Sequence, residues 1–463
     1  MCGISGIWSP AATDPTEAAR LTFFALYALQ HRGQESAGMA ATDGRDLRVV
    51  RRMGLVGQVF AEPDLGALTG RAAIGHTRYS TTGSSRIENA QPMVVRDEAL
   101  GELAIGHNGN VIDAREHRQQ LEADGVRFDT SSDTEVMAKA IASAPGRSWD
   151  ERIEHGLGSL TGAWSLVMLT PTALYAVRDP FGVRPLCLGR KGDAWLVASE
   201  TSALDTIGAT YVREVEPGEL LRIDDRGPVT VARTSADRHA LCVFEHVYLA
   251  SASSELAGRS VYATRERMGE ILATEHAAAA DVVIPVPDSA IPAAVGYARA
   301  TGIPFREGLI KNRYIGRTFI QPSQELRRHN VALKYNALRG VLSGKRVVVV
   351  DDSIVRGSTS GPIVDLLRRN GAREVHMRIC SPPIRWSCHF GVDMARKDEL
   401  IAAHLQVEDI RRHIGADSLG YLSLEGMIGA TGATTEQLCS ACFTGDYPMT
   451  VQLELDKGVL ERA

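Results

Sequence analysis

Residues 347–360 read VVVVDDSIVRGSTS and form the most informative segment of the chain. Four consecutive valines, Val347–Val350, make a short, continuous apolar run of the kind that forms a buried parallel strand. Two adjacent carboxylates, Asp351 and Asp352, stand where this strand ends. The loop from 353 to 360 is rich in Gly, Ser and Thr and leads into residues with helical spacing. The segment therefore predicts a strand, a polar loop and a helix in direct succession.

The neighbouring residues extend this unit into a parallel sheet. We expect a helix that ends at Gly371 and then an alternating strand, with apolar positions Ile363, Val364, Leu366, Leu367, Val375, Met377 and Ile379. Upstream, Val282–Ile284 is another short apolar run. Strand, helix and strand in this order make a βαβ unit, so we predict an open α/β sheet in the second half of the chain.

Asp351 and Asp352 indicate a ligand at the carboxyl edge of this sheet. Two neighbouring carboxylates repel each other unless a cation or sugar hydroxyls face them. The loop behind them offers backbone N–H groups and hydroxyls at a helix N-terminus, which suits a phosphate group. Open α/β sheets bind their ligands at this edge. A plain strand–turn–helix without a ligand is the alternative.

This segment resembles the signature with which the type I phosphoribosyltransferases bind phosphoribosyl pyrophosphate (PRPP). The resemblance implies that Asp351 and Asp352 contact the ribose hydroxyls and Mg²⁺, with Ser353 beside them. It also implies a set of residues that hold the 5′-phosphate: Arg356, Gly357, Ser358, Thr359 and Ser360.

Two further segments resemble parts of the same family. Residues 283–289 end a second strand and resemble the pyrophosphate loop, which implies that Asp288 and Ser289 contact PRPP and that Ser289 lies at the Mg²⁺ site. Residues 311–324 resemble the lid that closes over PRPP, which implies that Lys311 and Arg313 pair with the pyrophosphate. A solvated surface loop is the alternative for this second segment.

Cys2 becomes the first residue once the initiator methionine is removed. A terminal cysteine carries its own base, because a free α-amino group titrates at roughly pH 8 and can take the thiol proton. The residues around the thiol are small: Gly3, Ser5 and Gly6. Three polar, turn-prone clusters follow, at residues 31–36, 75–80 and 106–110.

These features resemble the class II glutamine amidotransferases, which have a terminal nucleophile and an αββα sandwich. The resemblance implies that Cys2 attacks the glutamine amide, and that the Asn108 side chain and the Gly109 N–H form the oxyanion hole. It implies that Arg78 binds the α-carboxylate of glutamine and that Asp133 binds its α-ammonium group. The alternative for Asp133 is a helix N-cap.

Three histidines in the same region allow a zinc or protease interpretation. They are His31, His76 and His107, one in each polar cluster. Their spacing matches no common zinc-ligand pattern, which disfavours that interpretation.

The two resemblances predict a two-domain α/β protein. We expect a glutaminase domain over 2–235 and a phosphoribosyltransferase domain with a helical C-terminal region over 241–463, separated within the polar stretch 224–240. One helix of the first domain should bury a single face, formed by Leu21, Phe24, Ala25, Ala28 and Leu29.

This combination of domains resembles the amidophosphoribosyltransferase family. The resemblance implies a glycosyltransferase that converts glutamine, PRPP and water to 5-phosphoribosylamine, pyrophosphate and glutamate, the first committed step of purine synthesis. It implies Mg²⁺ as a cofactor, purine nucleotides as feedback inhibitors and a homo-oligomer. A catalytically altered paralogue in a specialised pathway and a PRPP-sensing regulator are the alternatives.

The remaining cysteines include a C-x-x-C pair, Cys439 and Cys442, which on its own suits zinc, a redox dithiol or an iron–sulfur cluster. The residues after the pair resemble the iron–sulfur branch of the family. That resemblance implies a [4Fe–4S] cluster held also by Cys242 and Cys388. Cys187 and Cys380 have no implied role, and we expect them to be small buried residues.

Composition limits the other possibilities. The chain is 44% hydrophobic and 23% charged, which excludes a disordered or collagen-like protein. A formal net charge of −5 disfavours general nucleic-acid binding. No stretch approaches the roughly 20 apolar residues of a membrane helix, and the N-terminus lacks signal-peptide features. We therefore expect a cytoplasmic protein with reduced thiols and no nucleic-acid or membrane partner.

Overall fold

The computed structural model describes residues 2–80, 83–312, 333–394, 396–451 and 459–461. Strands of the first half are β1 (Gly3–Trp8), β2 (Ser36–Thr42), β3 (Leu47–Met53), β4 (Ala72–Arg78), β5 (Met93–Asp97), β6 (Gly101–Val111), β7 (Gly162–Leu169), β8 (Leu174–Arg178), β9 (Cys187–Lys191), β10 (Ala194–Ala198), β11 (Thr210–Glu214), β12 (Glu219–Asp224) and β13 (Gly227–Arg233). Its α-helices are α1 (Glu17–Ala28), α2 (Val56–Val59), α3 (Glu62–Ala67), α4 (Ala114–Ala123), α5 (Asp133–Ser143), α6 (Trp149–Gly158) and α7 (Thr201–Thr206).

These strands form two antiparallel sheets that pack face to face. One sheet has the order β11-β9-β10-β1-β4-β2-β3 and the other β13-β12-β8-β7-β6-β5. Apolar side chains from both sheets meet in one core, for example Ile4 and Ile74 with Val167 and Leu174. Helices α1 and α7 pack on the first sheet and α5 on the second, with α6 packed against α5, so that the predicted αββα sandwich is confirmed.

Helix α1 forms where a helix was expected and buries Ala25 and Leu29 as predicted, but Phe24 is not part of the buried face. Phe24 is 50% exposed, whereas Thr22 and Leu26 are fully buried. The cause is the close approach of the helix to β4, since a Cβ on Gly75 would lie 2.6 Å from Leu26 and 2.7 Å from Thr22. Small side chains and a glycine allow this contact, and a bulky aromatic residue is therefore turned to solvent.

The composition of the polar stretch 224–240 suggested an irregular segment, but part of it forms a strand. Strand β13 lies within it and pairs with β12 at the edge of the six-stranded sheet. An edge strand that is largely open to solvent needs no apolar alternation, so periodicity gives no signal for it.

The second half contains strands β14 (Leu241–Cys242), β15 (Glu255–Leu256), β16 (Arg259–Ser260), β17 (Val282–Pro285), β18 (Leu309–Lys311), β19 (Tyr335–Ala337), β20 (Arg346–Asp351), β21 (Glu374–Ile379), β22 (Ser418–Tyr421) and β23 (Leu438–Cys439). Its α-helices are α8 (Val261–Glu275), α9 (Ile291–Thr301), α10 (Arg339–Leu342), α11 (Ser360–Arg369), α12 (Ile401–His404), α13 (Val407–Ile414), α14 (Leu424–Thr431) and α15 (Ala441–Thr444). Five residues, Glu245–Leu249, form a π-helical turn.

Four of these strands make the parallel sheet that the sequence predicts. Their order is β17-β20-β21-β22, and all neighbouring pairs are parallel. The βαβ unit β20–α11–β21 is confirmed, with Val375, Met377 and Ile379 buried on β21. No helix in the described ranges is long and apolar enough to cross a membrane.

Candidate active sites

Cys2 lies at the start of β1, 8% exposed, and its backbone is held in place. The Cys2 N–H donates a hydrogen bond to Oδ1 of Asn108 at 3.1 Å, and the thiol donates to the carbonyl oxygen of Tyr79 at 3.7 Å. The next residue must be glycine, because a Cβ on Gly3 would lie 2.7 Å from Oγ1 of Thr77. The local packing thus fixes where the thiol points.

Asn108 places an unused donor next to Cys2. It lies on β6 and is fully buried, and its Oδ1 already accepts from Cys2. Among the described residues, its Nδ2 has no hydrogen-bond partner. Gly109 follows with its backbone pressed against β7, where a Cβ would lie 1.9 Å from the carbonyl oxygen of Ala163. A buried donor without an acceptor is costly in the empty site and is suited to a developing oxyanion.

Arg78 and Asp133 supply opposite charges near this nucleophile strand. Arg78 ends β4, is almost fully buried, and donates to the carbonyl oxygen of Ser84 at 3.0 Å, with Glu35 at 3.4 Å. Asp133 begins α5 and accepts from the Val111 N–H at 3.1 Å. The N-cap alternative for Asp133 is wrong, because the cap is Ser132, whose hydroxyl accepts from the Thr134 N–H.

The three histidines have separate partners. Nε2 of His31 lies 2.8 Å from Glu200, Nε2 of His76 lies 3.0 Å from the His107 carbonyl oxygen, and Nδ1 of His107 lies 3.1 Å from Thr134. Burial lowers the pKa of His76 to about 3 and also lowers the pKa of His107. In the described part of the chain, no three His, Cys, Asp or Glu side chains are arranged to hold a metal ion.

A buried charge cluster lies directly behind Cys2, and no role was predicted from the sequence for any of its members. It consists of Arg32, Arg184, Glu200 and Glu245, whose side chains are all fully buried. Arg32 donates to Glu200 at 2.5 Å and to Glu245 at 2.9 and 3.0 Å, and Arg184 lies 3.3 Å from Glu245. The sequence signals are weak: Arg32 lies in the polar cluster 31–36, and Glu245 stands with His246 in the mainly apolar and aromatic stretch 243–249.

Asp351 and Asp352 form the second candidate site, at the carboxyl end of β20. Ser289 and Ser353 donate to the two oxygens of Asp352 at 2.5 and 2.6 Å, so the two predicted loops meet here. Burial raises the pKa of Asp351 well above its usual range, and the charge of Asp352 adds to this. Burial also raises the pKa of Asp352, against the hydrogen bonds from the two serines.

The polar loop connects this acid pair to α11. Arg356 pairs with Glu399 at 2.6 Å, and a Cβ on Gly357, which has φ +70°, would lie 2.7 Å from Ile401. The remaining loop residues lead into the first turn of α11: Ser358, Thr359 and Ser360. On the other side of the site Lys311 pairs with Asp288 at 2.5 Å. Arg313 and most of the lid segment lie outside the described residues.

The four cysteines of the predicted cluster line one small cavity of about 10 Å³. Cys242 and Cys439 are in register on the paired strands β14 and β23, and Cys388 and Cys442 lie on the same cavity wall beside Arg184. Burial raises the pKa of Cys242 to about 11 and also raises the pKa of Cys439 and of Cys442. Within the described residues, the four thiols are not arranged as a ready ligand set for a metal ion. Cys187 and Cys380 are buried elsewhere, as predicted.

Known proteins match both halves of the chain. A family described as the glutamine amidotransferase domain matches residues 76–206, and the phosphoribosyl transferase domain family matches residues 258–380. An amidophosphoribosyltransferase of Bacillus subtilis is 48% identical over 97% of this chain and 94% of its own length. One of Methanothermobacter thermautotrophicus is 49% identical over 98% of this chain and 96% of its own length. The chain belongs to the amidophosphoribosyltransferase family.

Two solved structures of related enzymes have the same fold. One, described as the allosteric regulatory enzyme of purine biosynthesis, matches with a TM-score of 0.91 and 47% identity over 97% of both chains. Another is the Bacillus subtilis glutamine PRPP amidotransferase complexed with ADP and GMP, with a TM-score of 0.90 and 47% identity over 97% of this chain and 98% of its own. The two-domain α/β architecture of the family is therefore established for this chain.

Proposed function

We propose that this protein is an amidophosphoribosyltransferase that makes 5-phosphoribosylamine, pyrophosphate and glutamate from glutamine, PRPP and water. The observation that carries the proposal is the pairing of two sites in one chain. One is a buried thiol beside an unpartnered amide donor, and the other is a buried acid pair at the edge of a parallel sheet. The family gives the same reaction, and no observation favours the regulator or the altered paralogue.

In the proposed glutaminase step, the Cys2 thiol attacks the side-chain amide of glutamine. The terminal amino group of Cys2 takes the thiol proton, and Asn108 Nδ2 and the Gly109 N–H donate to the oxyanion. Arg78 and Asp133 bind the α-carboxylate and the α-ammonium group of the substrate. The terminal amino group of Cys2 passes the thiol proton to the amide nitrogen as the C–N bond breaks and ammonia leaves. Water then hydrolyses the thioester, which releases glutamate and restores the thiol.

In the proposed transfer step, ammonia attacks the anomeric carbon of PRPP and pyrophosphate leaves. Asp351 and Asp352 bind the ribose hydroxyls, and the loop from Arg356 to Ser360 holds the 5′-phosphate at the start of α11. Asp352 and Ser289 offer the oxygen ligands that Mg²⁺ prefers. Burial raises the pKa of Asp352, and a bound cation would stabilise its charged form, so these residues fit Mg²⁺. The ion, when bound, would balance the charge of the pyrophosphate.

We further propose that Cys242, Cys388, Cys439 and Cys442 hold a [4Fe–4S] cluster. Four thiols that line one buried cavity are a soft donor set, and the neighbouring Arg184 would offset negative charge. Binding must displace the thiol protons, and the raised pKa values of Cys242, Cys439 and Cys442 oppose this step. The formation of metal–sulfur bonds must provide the free energy for it. Protein purified without oxygen should contain iron and sulfide. About one zinc and no iron per chain would refute this assignment.

Regulation and assembly follow the family in this proposal. A homologous enzyme binds ADP and GMP, which supports purine nucleotides as feedback inhibitors of this chain. We also infer a cytoplasmic homo-oligomer without nucleic-acid or membrane partners.

The proposal is tested by separating the two nitrogen sources. Cys2→Ala should abolish glutamate release and glutamine-dependent phosphoribosylamine synthesis, because the nucleophile is lost. Synthesis from free ammonia should continue, because the transfer site uses other groups. Each activity is measured with and without PRPP. Glutamine hydrolysis at the wild-type rate in the alanine variant would show that the nucleophile is assigned wrongly.

A further inference from the structure

The buried charge cluster joins the two halves of the molecule behind the nucleophile. Arg32, Arg184 and Glu200 belong to the sandwich, whereas Glu245 lies on the π-helical turn at the start of the second half. Two cations and two anions are thus sealed away from solvent. A buried ion set of this kind is stable only when all partners are present.

Arg32 connects this cluster to the backbone of Cys2. Its Nε donates to the Cys2 carbonyl oxygen at 3.1 Å. On the other side of the same residue, the Cys2 N–H is held by Asn108 at 3.1 Å. The backbone nitrogen and the carbonyl oxygen of Cys2 are therefore each held by a side chain, and one of the two, Asn108, is the proposed oxyanion donor.

Glu245 sets the orientation of Arg32. Its carboxylate accepts two parallel hydrogen bonds from the Arg32 guanidinium, at 2.9 and 3.0 Å, which is the bidentate geometry that fixes the plane of the group. The same carboxylate lies 3.3 Å from Arg184, whose guanidinium donates to the Phe390 carbonyl oxygen. Glu200 also contacts Arg32, through one oxygen at 2.5 Å, and it shares that oxygen with His31.

We propose that Glu245 is a positioning residue for Cys2, through which the second half of the chain completes the glutaminase site. The inference rests on the proposed glutaminase function. Without the carboxylate, Arg184 would lose its ion pair with Glu245, and Arg32 would lose the partner that fixes its plane. The Cys2 carbonyl would then be held loosely, and the thiol would leave its alignment with Asn108.

The test compares Glu245→Gln and Glu245→Asp with wild-type protein over the full chain. Glu219→Gln is a matched control, since Glu219 is an equally buried carboxylate paired with Arg213 at 2.7 and 2.9 Å and has no contact with Cys2. Glutamate release is measured as kcat and KM for glutamine in the presence of PRPP. Phosphoribosylamine synthesis from free ammonia measures the transfer site and the integrity of the fold.

In Glu245→Gln, kcat for glutamate release should fall roughly tenfold or more, because small misplacements of a nucleophile cost large factors in rate. KM for glutamine and the ammonia-dependent rate should stay within about twofold of wild type, since Glu245 contacts neither substrate. Glu245→Asp should recover part of the loss, and Glu219→Gln should keep the wild-type kcat.

An unchanged kcat in Glu245→Gln would overturn the proposal. A parallel loss of the ammonia-dependent rate in both Glu245 variants, or an equal loss of kcat in Glu219→Gln, would overturn it as well, because the role would then be structural. If wild-type protein itself releases no glutamate, the proposed function fails instead, so the two failures are distinguishable.

Discussion

Two pairs of carboxylates are buried in this molecule, and their surroundings are opposite. Glu200 and Glu245 face two arginines; burial alone would raise the pKa of Glu200, but His31 and Arg32 outweigh it and lower that pKa. Asp352 accepts hydrogen bonds from the Ser289 and Ser353 hydroxyls, and Asp351 accepts one from the Asp352 N–H. In the described ranges neither forms a salt bridge, and the charge of Lys334 lowers their pKa values less than burial raises them. Burial raises the pKa of both.

The difference separates charged groups that stabilise the fold from charged groups that are suited to bind a ligand. A compensated pair is complete in the folded chain, and the loss of one member leaves its partner stranded. An uncompensated pair lowers stability until a cation or hydroxyl groups arrive from outside, and strongly perturbed carboxylates in such places are typical of functional sites. The raised pKa values thus mark the sheet edge more clearly than the sequence motif alone.

The largest expected effect is the loss of transfer when the sheet-edge charges are removed together. Asp351→Asn with Asp352→Asn should reduce phosphoribosylamine synthesis from either nitrogen donor by roughly a thousandfold or more, because the ribose and Mg²⁺ contacts are lost. Basal glutaminase activity should persist. Asp281→Asn is the control, since Asp281 pairs with Arg346 at the opposite end of the strands. Normal PRPP turnover in the double variant would contradict the comparison.

A smaller effect, on stability, is expected at the compensated pair. Glu200→Gln should lower the free energy of unfolding by about 3–5 kcal/mol, because it leaves Arg32 with one anionic partner fewer in a buried site. Denaturant unfolding of both proteins measures the difference. Glu62→Gln, which removes an exposed partner of Arg20, should change little. Equal small changes in both variants would mean that the buried cluster contributes no more than a surface pair.

The smallest expected effect has the opposite sign. The Asp351→Asn, Asp352→Asn variant should be more stable than wild type by about 1–2 kcal/mol near pH 8, since a functional site that strains the fold is relieved. Raised pKa values give stability that is complete below the unfolded Asp value of roughly 3.9 and is lost as pH rises through the folded values. The gain in the free energy of unfolding should therefore shrink as the pH falls. Unfolding curves measured between about pH 8 and pH 4 test this, and a gain that stays constant or grows on acidification would contradict it.

Local pattern was enough for much of this architecture. The valine run, the acid pair and the apolar positions after the loop predict β20, α11 and β21, because each signal lies within a few residues of the element that it describes. The roles of Cys2, Asn108 and Gly109 were implied by the family resemblance and stay predictions. How the two loops meet, with Ser289 on Asp352, was implied by the family and not by periodicity.

The buried charge cluster could not be predicted in this way. Arg32 and Glu245 are 213 residues apart in sequence, and no local pattern reports a pairing over that distance. The expectation that Phe24 of α1 is buried and the expectation that residues 224–240 are irregular were wrong for a related reason. In α1, the close contact with Gly75 on β4 determines which side chains are buried, and in β13, pairing with β12 determines that a strand forms. The sequence of each segment alone does not indicate these contacts.

The pairing of β14 with β23 has a consequence for the order in which the molecule assembles. These two short strands come from opposite ends of the second half and bring Cys242 beside Cys439. Contacts between such distant segments form late, after the elements between them have folded. During synthesis, Cys242 therefore leaves the ribosome long before its partner exists. The cavity that four cysteines line cannot close before Cys442 has been synthesised, and a chain stopped short of residue 438 would expose an unpaired strand there.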